Sequence, residues 1–155
     1  MTHRETSPAT AADRDLLQQA IDLGLQCPPS RTAFSVGAVI VAANGDVVAT
    51  GYSRESEPDA HAEETALAKV DAQPLAKATL YSSLEPCSVR SSRSTSCTDL
   101  ILAAGIERVV FALHEPAIFV EGRGGERLAA AGVQVVHLPE LAAQVEQVNA
   151  HLLHT

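Results

Sequence analysis

The chain has 155 residues, with 19 acidic against 11 basic side chains and a formal net charge of -8, so its overall field repels phosphate backbones and nucleic acid is not an expected partner. Hydrophobic residues make up 46% and charged residues 19%, which excludes a disordered polyelectrolyte, and no apolar run reaches the ~20 residues needed to span a bilayer. Three cysteines, an odd number with no apolar signal core before them, point to reduced thiols and a cytoplasmic protein rather than a disulfide framework. The length suits one domain, and with aromatics at 3% and no Trp its core must be built from Ala, Val, Leu and Ile.

Residues 1–12, rich in Thr, Ser and Ala without an apolar period, are expected to form a flexible tail, and residues 13–155 a single domain. Leu16, Leu17, Ala20, Ile21 and Leu25 recur at helical spacing until Cys27-Pro28-Pro29-Ser30 stops the helix. Cys27 reads as a small apolar residue at that helix end. The β-rich run 36–42, the turn Asn44-Gly45-Asp46 and the run 47–51 predict a hairpin. Asp59 is the expected N-cap of a helix over 60–70, with Ala62, Ala66 and Val70 facing inward and His61 and Glu63 in its first turn. A strand over 78–83 then delivers Glu85-Pro86-Cys87 at its C-terminal end. Residues 88–96 hold five Ser and one Thr among nine, with Arg90 and Arg93, and predict a polar loop. A helix opens at Cys97 or Thr98 and stops at Gly105. After it come a strand over 107–113, a helix over 122–131, a strand over 133–137 and a closing helix over 140–153.

Strands alternating with helices in the second half imply parallel pairing through crossover helices, hence an α/β fold: a three-layer α/β/α sandwich around a five-stranded mixed sheet. Helix N-termini carrying His61 and Cys97 and the strand end carrying Cys87 then meet on one side of the sheet. One imidazole and two thiolates are expected to bind one Zn2+ per chain. Three protein ligands leave a fourth position for water, the mark of a catalytic rather than a structural zinc. Such an ion lowers the pKa of water to about 7, which suits attack on an electron-poor ring carbon bearing an amino group. Glu63, beside the metal but not bound to it, is the candidate that carries the water proton to the ring nitrogen and then to departing ammonia. Glu64 is expected to face solvent and Glu85 to brace the loop backbone. His114, His137, His151 and His154 lack partners at ligand spacing. Gly122-Arg123-Gly124-Gly125 lacks the Lys-Ser/Thr ending of a phosphate loop and is expected to shape a turn.

His61-Ala62-Glu63 followed by Pro86-Cys87 resembles the signature of zinc deaminases, and the chain is similar to the cytidine and deoxycytidylate deaminase superfamily. The second cysteine stands ten positions after the first, and this long spacer resembles one branch, the pyrimidine deaminase domain of the bifunctional riboflavin-biosynthesis deaminase/reductase. The likeness extends through Val36-Gly37-Ala38-Val39-Ile40-Val41, Thr79-Leu80-Tyr81, Leu84-Glu85-Pro86-Cys87-Ser88, Cys97-Thr98-Asp99, Ala104-Gly105-Ile106, Arg108-Val109 and Gly122-Arg123-Gly124. It implies a cytidine deaminase-like fold, hydrolytic conversion of a phosphoribosylated diaminopyrimidine to its oxo form, and assembly as a homodimer or homotetramer. The sequence ends at Thr155, so the reductase fused behind in that branch is not expected.

The departures from the branch concern the substrate. Ala33-Phe34-Ser35 stands where the family has Asn-Pro before Val-Gly, and Glu115-Pro116-Ala117-Ile118 replaces Asp-Pro-Asn-Pro. Val89 replaces a histidine and Ser94-Thr95-Ser96 a Thr-Pro-Pro, in a spacer one residue longer than the family form, while Arg93 matches the basic residue four before the second cysteine. Specificity rests on such buried hydrogen bonds, so a free base such as cytosine, guanine or an aminotriazine, or a nucleoside, is the alternative substrate. Phe34-Ser35-Val36-Gly37-Ala38 also resembles the segment by which cytidine deaminases bring an aromatic ring to the pocket. The substrate-side candidates are Phe34, Ser83 and Arg93. A non-catalytic deaminase-like subunit is the competing class, and the intact Glu63 speaks against it.

Overall fold

Val39 and Ile40 are sequence neighbours that enter different hydrophobic cores, because successive side chains of a strand point to opposite faces. The same alternation divides every central strand. The computed structural model of the chain describes residues 10–28, 30–31, 33–70, 75–87, 95–114 and 124–153. Its elements are α1 (Ala11–Gly24), β1 (Gly37–Val41), β2 (Val47–Tyr52), α2 (Ala62–Lys69), β3 (Thr79–Leu84), α3 (Cys97–Ala104), β4 (Arg108–Leu113), α4 (Gly124–Ala130), β5 (Gln134–His137), a 3-10 turn (Pro139–Leu141), α5 (Ala142–Val148) and α6 (Ala150–Leu153).

The five strands form one mixed sheet in the order β2-β1-β3-β4-β5. β1 pairs antiparallel with β2 and β3, whereas β3, β4 and β5 are parallel. On one face Ala38, Ile40, Leu80, Val109 and Phe111 pack against Ala62 and Ala66 of α2, Ile101 of α3 and Leu128 of α4. On the other, Val39, Val41, Tyr81, Val110 and Val136 pack against Leu17, Ala20 and Ile21 of α1 and Val145 of α5. These are the three layers expected from the element order. No helix among the described residues is long and apolar enough to cross a membrane.

The first and last helices differ from the sequence reading. α1 begins at Ala11, inside the stretch expected to be tail, because Thr10 and Asp13 form a reciprocal capping box: Asp13 N–H donates to Thr10 Oγ1 at 3.0 Å and Thr10 N–H to Asp13 Oδ2 at 3.0 Å. The box satisfies two orphan donors, and Ala11 and Ala12, both exposed, leave no apolar period to announce it. The closing helix is not continuous. It breaks at Asn149, whose backbone sits at φ -109°, ψ 22° and whose fully buried side chain is bonded to Ser35 as well as to Val145.

Asp13 also ties α1 to the sheet. Arg108 Nη1 and Nη2 donate to its two carboxylate oxygens at 2.8 and 2.7 Å, and Tyr81 OH donates at 2.7 Å. The Arg108 guanidinium holds the buried Asp13 carboxyl well below the usual carboxylate range, outweighing the opposite push of burial. A carboxylate depressed in the native state contributes stability that is complete above its unfolded value and is lost as pH falls toward the native one. Asp13→Asn is therefore expected to lower the unfolding free energy by roughly 3 kcal/mol at neutral pH. The gap to the wild type should narrow below about pH 4. Denaturant titrations over that range check this, and a gap that stays constant on acidification contradicts it.

Candidate metal centre and active site

Three elements end at one point. Cys87 lies just past the C-terminal end of β3, Cys97 opens α3, and His61 immediately precedes α2. The Cys97 N–H donates to Cys87 Sγ at 3.3 Å, and the Thr98 N–H to Cys87 O at 3.0 Å. His61 Nδ1 stands 3.7 Å from Cys87 Sγ and 3.4 Å from Cys97 Sγ, and the three ligand atoms all lie within 4.8 Å of one another. A tetrahedral zinc with metal–sulfur bonds of about 2.3 Å and metal–nitrogen bonds of about 2.0 Å holds its sulfur and nitrogen ligands about 3.5 Å apart. The donor set fits that ion in both chemistry and spacing. Hydrogen bonds from Cys97 and His61 draw the Cys87 thiol down to about 5 against the effect of burial, so its thiolate, the form that binds metal, is favoured.

Close packing brings these elements together. A Cβ on Gly51 of β2 would stand 2.5 Å from Ala62 O and 2.7 Å from Ala66 N, so only glycine lets α2 lie this near the sheet. Likewise a Cβ on Gly124 would fall 1.8 Å from Pro86 O, and α4 therefore starts directly against the cysteine-bearing turn. Glu85 completes the brace: its Oε2 accepts the Gly125 N–H at 2.8 Å, and its Oε1 lies 3.2 Å from His114 Nδ1.

The start of α2 corrects the sequence reading. Asp59 is not its N-cap. His61 occupies that position with extended backbone, φ -88° and ψ 156°, and the helix runs from Ala62. The reason is Glu64, which reaches back to accept the His61 N–H at 2.7 Å and so takes the acidic role in a capping box. Glu64 is accordingly half-buried rather than solvated. His61 is thus held at the mouth of the helix, not on its side.

Glu63, the second helical residue, is 4% exposed. Burial pushes its carboxyl up to about 6, with the His61 charge opposing and Cys87 assisting. Ser82 Oγ lies 3.3 Å from Glu63 Oε2 and 2.7 Å from Leu84 O. Sequence reading did not single out Ser82; the serine it named, as a substrate-side candidate, is Ser83. Alternation along β3 puts Ser82 on the face of Leu80 and α2 and Ser83 on the face of Tyr81, where its Oγ accepts the Gly37 N–H at 3.1 Å. Phe34 is partly buried against the cluster that contains Ala62 and Leu84. Arg93, Arg90 and most of the polar spacer lie outside the described residues, as do Gly122, Arg123 and His154.

Among the described residues, Cys27, His114 and His137 are not part of the cluster. Cys27 Sγ is 3.5 Å from Val36 O. His137 Nε2 donates to Ala112 O at 2.9 Å and its ring stacks on Phe111, which His114 meets edge-on.

Comparison with known proteins bears on the same segments. The model of the cytidine and deoxycytidylate deaminase zinc-binding region matches residues 10–113. A diaminohydroxyphosphoribosylamino-pyrimidine deaminase of Schizosaccharomyces pombe is 43% identical over 126 residues, covering 79% of this chain and 31% of that protein. The riboflavin biosynthesis protein RibD of Escherichia coli is 41% identical over 120 residues, covering 77% of this chain and 31% of RibD. The chain thus spans less than a third of the length of either relative. A C-terminal deletion mutant of the Aspergillus oryzae Rib2 deaminase superposes with a TM-score of 0.77 at 26% identity, covering 88% of this chain and 89% of that one. Its complex with DARIPP gives a TM-score of 0.69 at 27% identity, covering 94% and 100%. The matched stretch takes in His61, Glu63, Cys87 and Cys97, and with their convergence in the fold it makes the chain a member of the cytidine and deoxycytidylate deaminase family.

Proposed function

We propose that the chain is a zinc-dependent hydrolytic deaminase that converts an amino-substituted pyrimidine to the oxo form and releases ammonia. The carrying observation is the convergence of His61, Cys87 and Cys97 beside a buried Glu63. Zinc held by the three ligands supplies the Lewis acidity that makes water a nucleophile at neutral pH.

The chain's own groups do the proton work. Glu63 takes a proton from the attacking water and hands it to the ring nitrogen, then takes the remaining proton from the newly added hydroxyl and delivers it to the amino group as the carbon–nitrogen bond breaks, leaving the oxo product and ammonia. Ser82 suits both states of that carboxyl. A hydroxyl has one proton and two lone pairs, so it can donate to the ionised Oε2 or, with its proton turned to Leu84 O, accept from the protonated acid. Burial of Glu63 keeps bulk water from competing for the proton.

A riboflavin-pathway diaminopyrimidine-like nucleotide is the substrate best supported, by the activity named for the 43% identical relative and by the DARIPP complex of the structural neighbour. A free base or nucleoside is the second reading. It is favoured by Phe34, an apolar ring packed against the hydrophobic cluster on the α2 face of the sheet where the riboflavin branch carries Asn-Pro. We further propose that the protein acts as a homodimer or homotetramer, as the family usually does.

An ammonia-release panel of free bases, nucleosides, nucleotides and aminopyrimidine phosphates tests the activity. Glu63→Gln is expected to lower kcat by ~10²–10⁴ while the purified protein keeps its zinc. Full activity in that variant would refute the assigned role, and a wild type inactive on the whole panel would refute the reaction class. Arg93→Ala separates the substrates. A large rise in KM for a phosphorylated compound supports the nucleotide, whereas unchanged kinetics favour the free base.

A further inference from the structure

Residues 34–37 are held largely by side chains from distant parts of the chain. Asn149 is fully buried and uses its whole amide. Its Oδ1 accepts the Ser35 N–H at 2.7 Å, and its Nδ2 donates to Ser35 O at 3.2 Å and to Val145 O at 3.0 Å. From the other side Arg54 donates through Nη1 to Phe34 O at 3.0 Å and through Nη2 to Ser35 Oγ at 3.0 Å and Pro28 O at 2.7 Å. Ser53 Oγ accepts the Val36 N–H at 2.9 Å, next in line.

Arg54 is also joined to the metal side. Its N–H donates to the carbonyl of Ala60, the residue before His61, at 2.8 Å. Its backbone sits at φ 63°, a left-handed conformation that non-glycine residues adopt only where the surroundings hold them there, as at ligand clamps. One residue thus links the approach to His61 with the Phe34–Ser35 backbone, while Asn149 fixes both backbone polar groups of Ser35.

We propose that Arg54 and Asn149 are positioning residues for substrate recognition, which set the Phe34–Ser35 wall at the right distance from the His61–Glu63 turn to take a planar amino-heterocycle between them. This rests on the reading that Phe34 faces the base. It makes the C-terminal helices, which lie beyond the residues 10–113 matched by the family model, part of the specificity apparatus. Both residues act through the wall and touch no reacting atom.

The test uses the full-length zinc-loaded protein and conservative variants. Arg54→Lys keeps the charge but loses the planar fork. Asn149→Asp keeps an acceptor for the Ser35 N–H but loses the donor to Ser35 O. Ser35→Ala removes one Arg54 bond while leaving every backbone group in place, and it keeps the test open where an Asn149 variant fails to fold. With the best substrate from the panel, KM should rise about tenfold in Arg54→Lys and Asn149→Asp, and less in Ser35→Ala, with kcat and zinc content held. Amide exchange over residues 33–37 should quicken while residues 79–84 stay unchanged. Unchanged exchange, unchanged KM, or a fall in kcat at constant KM would overturn the proposal. A wild type that deaminates nothing removes the function itself and with it any substrate to position, whereas an active wild type with indifferent variants removes only the clamp.

Discussion

Everything at the centre depends on where β3 ends. This strand is the seam of the sheet, antiparallel to β1 on one side and parallel to β4 on the other, and its C-terminal turn carries Cys87. The parallel connection obliges the chain to leave β3, cross over through α3 and return as β4, which puts the N-terminus of α3 beside the strand end. Cys97 is the first residue of that helix, and its peptide N–H points at the Cys87 sulfur. The same N–H that the helix cannot use internally therefore serves the thiolate.

The second constraint is the closeness of α2 to β2. With no side chain on Gly51, the helix settles onto the sheet and brings His61 to the two sulfurs and Glu63 into the interior. His61 and Glu63 thus stand at opposite ends of one short turn. A carboxylate one residue earlier or later would occupy a different side of the helix: Glu64, the next residue, is already used to cap the His61 N–H.

The parts legible in the sequence were those whose cause is local. Alternation and turn residues marked the strands, Gly105 ended α3, and the His-x-Glu and Pro-Cys segments announced their chemistry. What sequence reading missed depends on partners it does not supply. Asn149 interrupts the last helix because Ser35, 114 positions away, claims its amide. Asp59 and Glu64 are both acidic residues near a helix start, and only the geometry decides which one reaches a free N–H. Ser82 and Ser83 differ by a single step along β3, yet that step changes the face of the sheet, so one meets Glu63 and the other Gly37. Thr10 and Asp13 show the opposite lesson. Their capping box was present in the sequence but hidden because Ala11 and Ala12, both exposed, start no apolar period.

Zinc-edge X-ray absorption on the purified protein, together with metal analysis, reads the ligand set most directly. One zinc per chain is expected, with two sulfur neighbours at about 2.3 Å and a first shell completed by nitrogen and oxygen at about 2.0 Å, and the same spectrum in Glu63→Gln. A spectrum with four protein ligands, a sulfur count other than two, or a shell that changes when Glu63 is replaced would contradict an open three-ligand site with a separate proton carrier.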